Sequence, residues 1–275
     1  MKNYTVKELL KEISVQLNSK VDRSPREAQL LVMAYLDVDE LWLLTNQSQH
    51  VGNVDELFEW VDRRSKNEPL EYITNKVSFY SQEFYIAKGA LIPRPETEIL
   101  IDEVLKRIPN KNETLNIVEV GVGSGIISIM LAKNLPNAKF IAVDISQDAL
   151  NIAAINIEKF GLTDKIELRL GSLLDQVNEK IDYLVSNPPY IEDAIVLEHN
   201  LSYEPQNALF GGKVGDEIVK KLLDEVLNRK INFFSCEFGY DQKDKIRKYL
   251  NDTQFKSLDF YKDYSDFDRG FTIGL

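Results

Sequence analysis

Glu119-Val120-Gly121-Val122-Gly123-Ser124-Gly125 is the stretch whose reading decides the fold. It follows the apolar run Leu115-Asn116-Ile117-Val118 and leads into Ile126-Ile127-Ser128-Ile129-Met130-Leu131. A β-branched run, a glycine-rich break and a long apolar segment, in that order, read as a strand (residues 115–120), a tight turn and a helix running to Lys133. Outward from there the alternation repeats. Residues 139–143, 166–170, 181–186 and 233–238 read as strands, and 147–160, 216–228 and 241–250 as helices. Two further strands, 257–261 and 270–273, close the chain. Strands of near-continuous apolar character separated by helices imply an α/β fold whose mostly parallel sheet is covered on both faces.

The N-terminal quarter has a different texture. Thr5-x-x-Glu8, Ser24-x-x-Glu27 with Pro25 at the first helical position, and Asn53-x-x-Glu56 all read as capping boxes. Behind them Val6, Leu9, Leu10, Ile13 and Leu17 recur at helical spacing, as do Ala28, Leu31, Val32, Tyr35 and Leu36, then Leu57, Trp60 and Val61. Residues 1–75 are therefore expected to form a small helical domain. Two short apolar-aromatic runs, 77–80 and 84–86, flank Ser81-Gln82-Glu83 and read as a hairpin, with a plain linker as the alternative. Residues 76–98 are taken as this linking segment and 99–275 as the main domain.

Composition narrows the chemistry. The 275 residues are 44% apolar and 28% charged, as expected of a soluble protein with one large domain or one medium and one small. The opening residues are charged and polar rather than a signal peptide, and no run approaches the roughly 20 apolar residues of a membrane span. The single cysteine, Cys236, lies in an apolar run and reads as a small buried hydrophobe. His50 and His199 lack partners at ligand spacing, so a zinc site is not expected. A net charge of −11 disfavours duplex DNA, whose phosphates call for a basic face.

The glycine loop lets backbone approach a ligand closely, and the helix after it begins with unpaired N–H groups. Asp144 ends the next strand, where an acid can accept from both hydroxyls of an adenosine ribose. The dinucleotide fingerprint is incomplete: counting from Gly121, its third glycine would fall on Ile126. No phosphate-cradling P-loop is present either. Glu119 would repel a pyrophosphate, whereas it suits the ammonium or sulfonium cation of S-adenosylmethionine.

The strand 181–186 runs directly into Asn187-Pro188-Pro189-Tyr190. Ligands of open parallel sheets bind beyond the carboxyl ends of the strands, so this loop shares an edge with Gly121, Gly123, Gly125 and Asp144. Its prolines stiffen the chain and remove two N–H donors, leaving carbonyl acceptors on display. An amide or ring-attached amino nitrogen is a poor nucleophile because its lone pair is delocalised. The Asn187 side-chain oxygen and the Pro188 carbonyl can hold both N–H bonds of such a group and aim its nitrogen at a sulfonium methyl. Tyr190 can stack on the planar group.

With both motifs read, the chain resembles the bacterial release factor glutamine methyltransferase family, also called HemK or PrmC. Leu91-Ile92-Pro93-Arg94-Pro95-Glu96-Thr97-Glu98, Tyr203-Glu204-Pro205, Ala208-Leu209, Gly211-Gly212 and Asp268-Arg269 carry the resemblance together with Asn-Pro-Pro-Tyr, across nearly the whole chain. The resemblance implies a class I S-adenosylmethionine-dependent methyltransferase domain, Rossmann-like with a seven-stranded sheet, and a helical N-terminal domain that helps dock substrate. It implies methyl transfer to the glutamine side-chain nitrogen in the Gly-Gly-Gln motif of class I peptide chain release factors, with S-adenosyl-L-homocysteine as product. Glu119, Gly121, Val122, Gly123, Ser124, Gly125, Asp144 and Asn187 would hold the cofactor. Asn187, Pro188 and Tyr190 would be catalytic, and Asn187, Pro188, Pro189 and Tyr190 would bind the glutamine. The family often has Asp where Glu119 stands, and an acid followed by an aromatic where this chain has Ser172-Leu173. Those two residues are the candidates for contacts to adenine. Direct DNA binding and membrane association are not expected; a cytoplasmic monomer is. Ribosomal-protein glutamine methylation is the nearest alternative, and DNA adenine-N6 methylation a more distant one.

Overall fold

The computed structural model describes residues 3–275, so residues 1 and 2 of the expected helical domain lie outside it. The chain forms two compact units. One comprises Met1–Lys76 with Glu198–Tyr203, and the other Val77–Leu197 with Glu204–Leu275.

The first unit contains α1 (Val6–Leu17), α2 (Ser24–Leu36), α3 (Glu40–Thr45), α4 (Asp55–Ser65) and α5 (Leu70–Thr74). Two-residue strands β1 (Tyr4–Thr5) and β2 (His50–Val51) pair antiparallel beside them. The helical stripes meet as one core of Leu9, Ile13, Leu17, Leu31, Leu57 and Val61, each essentially inaccessible to water. Burial of each such side chain contributes roughly 1.5–3 kcal/mol. Of the three expected capping boxes one forms: Thr5 accepts from the Glu8 N–H, and Glu8 reaches back to the Thr5 N–H. The other two are corrected. Helix α2 already includes Ser24, with Arg23 at the cap. The Asn53 side chain accepts instead from the Asp55 N–H at 3.0 Å, the local turn that short amide side chains favour.

The second unit begins at Val77, within a hairpin of β3 (Lys76–Phe79) and β4 (Gln82–Tyr85). Its turn is Tyr80-Ser81 rather than the expected Ser81-Gln82-Glu83. Both turn residues have positive φ, 49° and 56°, the backbone of a two-residue turn that follows the strands' twist. No Asn-Gly or Asp-Gly marks that turn, so the sequence concealed it. Of residues 76–98, set apart above as a link, all but Lys76 cluster with this unit. Asn156 accepts from the Tyr85 N–H and donates to the carbonyls of Tyr85 and Ser124, tying the hairpin to the glycine loop.

Then come α6 (Thr97–Arg107), β5 (Asn116–Val120), α7 (Ile126–Asn134), β6 (Lys139–Asp144), α8 (Gln147–Lys159), β7 (Ile166–Leu170) and β8 (Tyr183–Ser186). A parallel pair of short strands follows, β9 (Ile191–Glu192) and β10 (Phe210–Gly212). The chain closes with α9 (Glu217–Arg229), β11 (Phe233–Glu237), α10 (Lys243–Tyr249), β12 (Ser257–Lys262) and β13 (Asp268–Gly274). Helix α6 and the β9–β10 pair were not read from the sequence. Helix α7 is apolar around its whole circumference, with Ile126 through Ala132 buried, because it packs between the sheet and its neighbours α6 and α8.

Seven strands form one sheet in the order β12-β13-β11-β8-β5-β6-β7, parallel except where β13 runs against β11 and β12. The chain moves outward from β5 through β6 to β7 and then returns to place β8 on the other side of β5. That reversal is the switch point at which open α/β sheets bind ligands. Val120 lies in register with both Val143 and Ser186. The residues that follow, Gly121, Asp144 and Asn187, therefore leave the sheet side by side. Among the described residues no helix is long and apolar enough to cross a membrane.

Candidate active site

A cavity of about 650 Å³, counted out to its mouth, opens at this switch point. Its wall contains Glu119, Gly121, Val122, Gly123, Ser124, Asp144, Asn187 and Pro189 from the sequence expectation. Gly125, Pro188, Tyr190, Ser172 and Leu173 are not part of that wall. Gly125 instead starts α7 with φ 85°, and a Cβ there would press on Ala153 at 3.3 Å. Ser172 is exposed and Leu173 packs on the core beyond β7, so the expected adenine contacts find no support in this cavity.

The floor is acidic. Glu119 is completely buried, and its Oε2 accepts from both the N–H and the hydroxyl of Ser128. Its Oε1 has no hydrogen-bond partner among the described residues. Burial pushes its carboxyl up to about 8, against the Ser128 hydrogen bonds and helped by the nearby Asp144 charge. A cationic ligand group would stabilise the ionised form that burial disfavours. Asp144 spends one lone pair on each oxygen holding the loop: Oδ2 accepts from the Gly123 N–H at 3.0 Å and Oδ1 from the Ser146 N–H at 2.9 Å. A carboxylate has about four acceptor positions, so capacity for two hydroxyls remains. Burial raises its pKa as well, opposed by the backbone N–H groups of Gly123, Ser146 and Ile145. An orphaned buried oxygen, a half-used carboxylate and a glycine loop fit an adenosine bearing a cationic side chain.

The rim is built by a segment whose role the sequence left unexplained. Gly89, Ala90, Leu91, Pro93, Arg94 and Thr97 line the cavity, opposite Asn207 and Ala208. Glu204, nearly inaccessible, clasps the segment by accepting from the Ile92 N–H at 2.9 Å and pairing with Arg94. The Asn187 amide nitrogen donates to Thr97 Oγ1 at 3.0 Å, so its oxygen is left as an acceptor at the cavity wall. Thr97 in turn donates to Glu237 Oε2 at 2.9 Å. Tyr190 is positioned from below, its hydroxyl donating to Glu237 Oε1 at 3.4 Å and its carbonyl accepting from Gln242 at 3.0 Å. Gly211 explains its own identity: a Cβ there would sit 2.4 Å from the Pro189 carbonyl oxygen and 2.5 Å from that of Gly215. Backbone packs directly on backbone beneath the proline loop.

This architecture recurs in known proteins. Residues 96–209 match the family described as Methyltransferase small domain, and residues 8–74 the PrmC N-terminal domain. A release factor glutamine methyltransferase of Clostridium acetobutylicum is 32% identical over 95% of either chain. One of Dictyoglomus turgidum is 41% identical over 82% of this chain and 83% of its own. The chain belongs to the release factor glutamine methyltransferase family. Its fold extends further: the catalytic domain of hMettl16, solved with a MAT2A 3'UTR hairpin, superposes with TM-score 0.59 at 15% identity, covering 82% of this chain and 84% of that one. In this member of the glutamine methyltransferase family, sequence reading found the glycine loop, Asp144 and Asn187. It missed the hydrogen-bond chain from Asn187 through Thr97 to Glu237. Thr97 was visible inside the quoted Pro-Glu-Thr-Glu segment, whereas nothing in the local sequence marks Glu237 as its neighbour.

Proposed function

We propose that this protein transfers the methyl group of S-adenosylmethionine to the side-chain amide nitrogen of a glutamine in class I peptide chain release factors, the one in their Gly-Gly-Gln motif. The observation that carries the reading is the Asn187 amide. Its nitrogen donates to Thr97, so its oxygen is the atom free to accept from a substrate at the cavity that Asn187 lines. Family membership supplies the reaction and the substrate class.

Glu119 would pair with the cofactor's charged amino-acid end, Asp144 with its ribose hydroxyls, and Gly121 to Ser124 would lie against it. When bound, the cofactor supplies an electrophilic methyl on a sulfonium. The remaining work belongs to this chain. The Asn187 oxygen and the Pro188 carbonyl would accept the two N–H bonds of the glutamine amide, fixing where its nitrogen points and favouring the pyramidal geometry it must reach. Pro188 and Pro189 keep that loop stiff, and Gly211 supports it from beneath. Tyr190, held by Glu237 and Gln242, would flank the planar amide. No strong general base is needed, because an alkylated amide nitrogen loses its proton readily.

The helical unit would help dock the release factor. A net charge of −11 favours a protein partner over DNA, and the reading places the enzyme in the cytoplasm as a monomer. The test is methyl transfer from labelled cofactor to purified release factor, ribosomal protein or unmethylated DNA, followed by mapping of the label. Label should appear on the release factor glutamine and vanish from a Gln→Ala substrate. Label only on ribosomal protein or DNA would overturn the assignment.

A further inference from the structure

A three-residue chain runs from the cavity wall into the sheet, from half-buried Asn187 to buried Thr97 and Glu237. Its hydrogen atoms can be counted. An ionised Glu237 only accepts, so the single Thr97 hydroxyl proton goes to Glu237 Oε2. The Thr97 oxygen must then accept, and the only Asn187 atom able to donate to it is the amide nitrogen. The amide oxygen is forced toward the cavity. We infer that Thr97 and Glu237 are positioning residues that set the direction of the Asn187 amide, and that only ionised Glu237 presents the amide oxygen to substrate. This rests on the proposed methyl transfer to a glutamine nitrogen and adds the control of its acceptor.

Adding a proton to Glu237 reverses the chain. Tyr190 lies against Arg269, which can only donate, so the tyrosine proton stays directed at Glu237 Oε1. The new proton therefore belongs on Oε2, where it donates to Thr97. The Thr97 hydroxyl then needs an acceptor, and the Asn187 oxygen supplies it once the amide has turned over. The cavity now meets an N–H donor in place of an acceptor, and a substrate –NH2 has nothing to bind.

The setting allows the proton to move near neutrality. Burial pushes Glu237 up to about 7, against the opposing effects of Thr97, Arg269 and Tyr190. The other groups facing it are Glu96, just before α6, whose charge raises it further, the Cys236 thiol on its own strand and the Tyr261 hydroxyl of β12. Arg269 is shared with Asp263, which accepts from it at 2.8 Å, so it neutralises Glu237 only partly. The carboxylate fraction grows as pH rises through about 7, and turnover should grow with it.

The experiment uses the full-length protein with purified release factor and S-adenosylmethionine, following kcat from mildly acidic to mildly alkaline pH. Wild type should show an ascending limb centred near 7. Glu237→Gln, which can present either amide face to Thr97, should lower kcat roughly ten-fold, the scale of one misdirected hydrogen bond, and lose the limb. Affinity for S-adenosylhomocysteine should stay within about two-fold, since Glu237 does not line the cavity. Thr97→Ser should restore what Thr97→Val loses, and this pair decides the matter if the glutamine variant does not fold. A second readout needs no turnover: the Asn187 side-chain NH2 resonances should titrate near 7 in wild type and not in Glu237→Gln. An unchanged limb in that variant, or an Asn187 signal indifferent to pH, overturns the inference. If wild type transfers no methyl to release factor at any pH, the proposed function fails while the resonance titration still judges this relay.

Discussion

The glycine loop and the Asn-Pro-Pro-Tyr loop leave neighbouring strands of one sheet, yet they are held in opposite ways. Gly121 to Gly125 is fixed from nearby: its amides bond to Asp144 and to the Val143 carbonyl, and Ser128 on the following helix ties down Glu119. Asn187 to Tyr190 is fixed from afar, by Thr97 some ninety residues earlier, Gly211 after it, and Glu237 and Gln242 further on. A loop that shapes a pocket can be held by the adjoining strand and helices, here through Val143, Asp144 and Asn156. A loop that must offer an acceptor in one direction needs its polarity imposed by groups the local chain cannot supply.

If that contrast is sound, disturbing the second loop should damage turnover and spare cofactor binding. Asn187→Ala should cut kcat by at least ~10²-fold, the scale of losing an oriented transition-state contact. Affinity for S-adenosylhomocysteine, measured by calorimetry, should fall far less, although Asn187 lines the cavity. An Asn187→Ala enzyme of near-normal turnover would break the comparison outright. Gly211→Ala comes next, because its methyl meets the Pro189 carbonyl and backbone must yield. We expect a stability loss of roughly 1–3 kcal/mol by denaturant titration, together with lowered kcat.

The first loop can be probed through Glu119. Its folded pKa, about 8, is raised above the ordinary carboxylate value, so the folded state holds a proton that the unfolded chain releases near 4.5. Between those values the unfolded chain binds fewer protons, and stability falls as pH rises. In the ligand-free protein Glu119→Gln should make that decline shallower. A slope identical to wild type would show that the buried carboxyl does not titrate in this window. The smallest effect belongs to the other unit. Thr5→Ala removes a capping box and should cost about 1 kcal/mol in stability with kcat unchanged.

The elements legible beforehand were those with strong local periodicity. Strand 166–170 coincides with β7, and most others shift by one or two residues, the ordinary uncertainty of element ends. What escaped was short or depended on context. Helix α6 was hidden because its opening turn follows a proline-rich segment read as motif rather than structure. The β9–β10 pair is too short to carry a period. Among site residues, Ser172 and Leu173 were placed by analogy of position; neither lines the cavity, and Leu173, at φ 51°, packs on the core.

By itself the sequence determined the alternation that makes a parallel sheet, the glycine turn after its first strand, the acid after the next, and the rigid Asn-Pro-Pro-Tyr display. All are statements about backbone preference and side-chain chemistry within a few residues. Only the tertiary structure decided which way the Asn187 amide faces, which buried oxygen of Glu119 stays unpaired and which segment rims the cavity. Those depend on hydrogen-bond partners brought together by strand order. A side chain's donors and acceptors acquire a direction only when their partners, however distant in sequence, are in place.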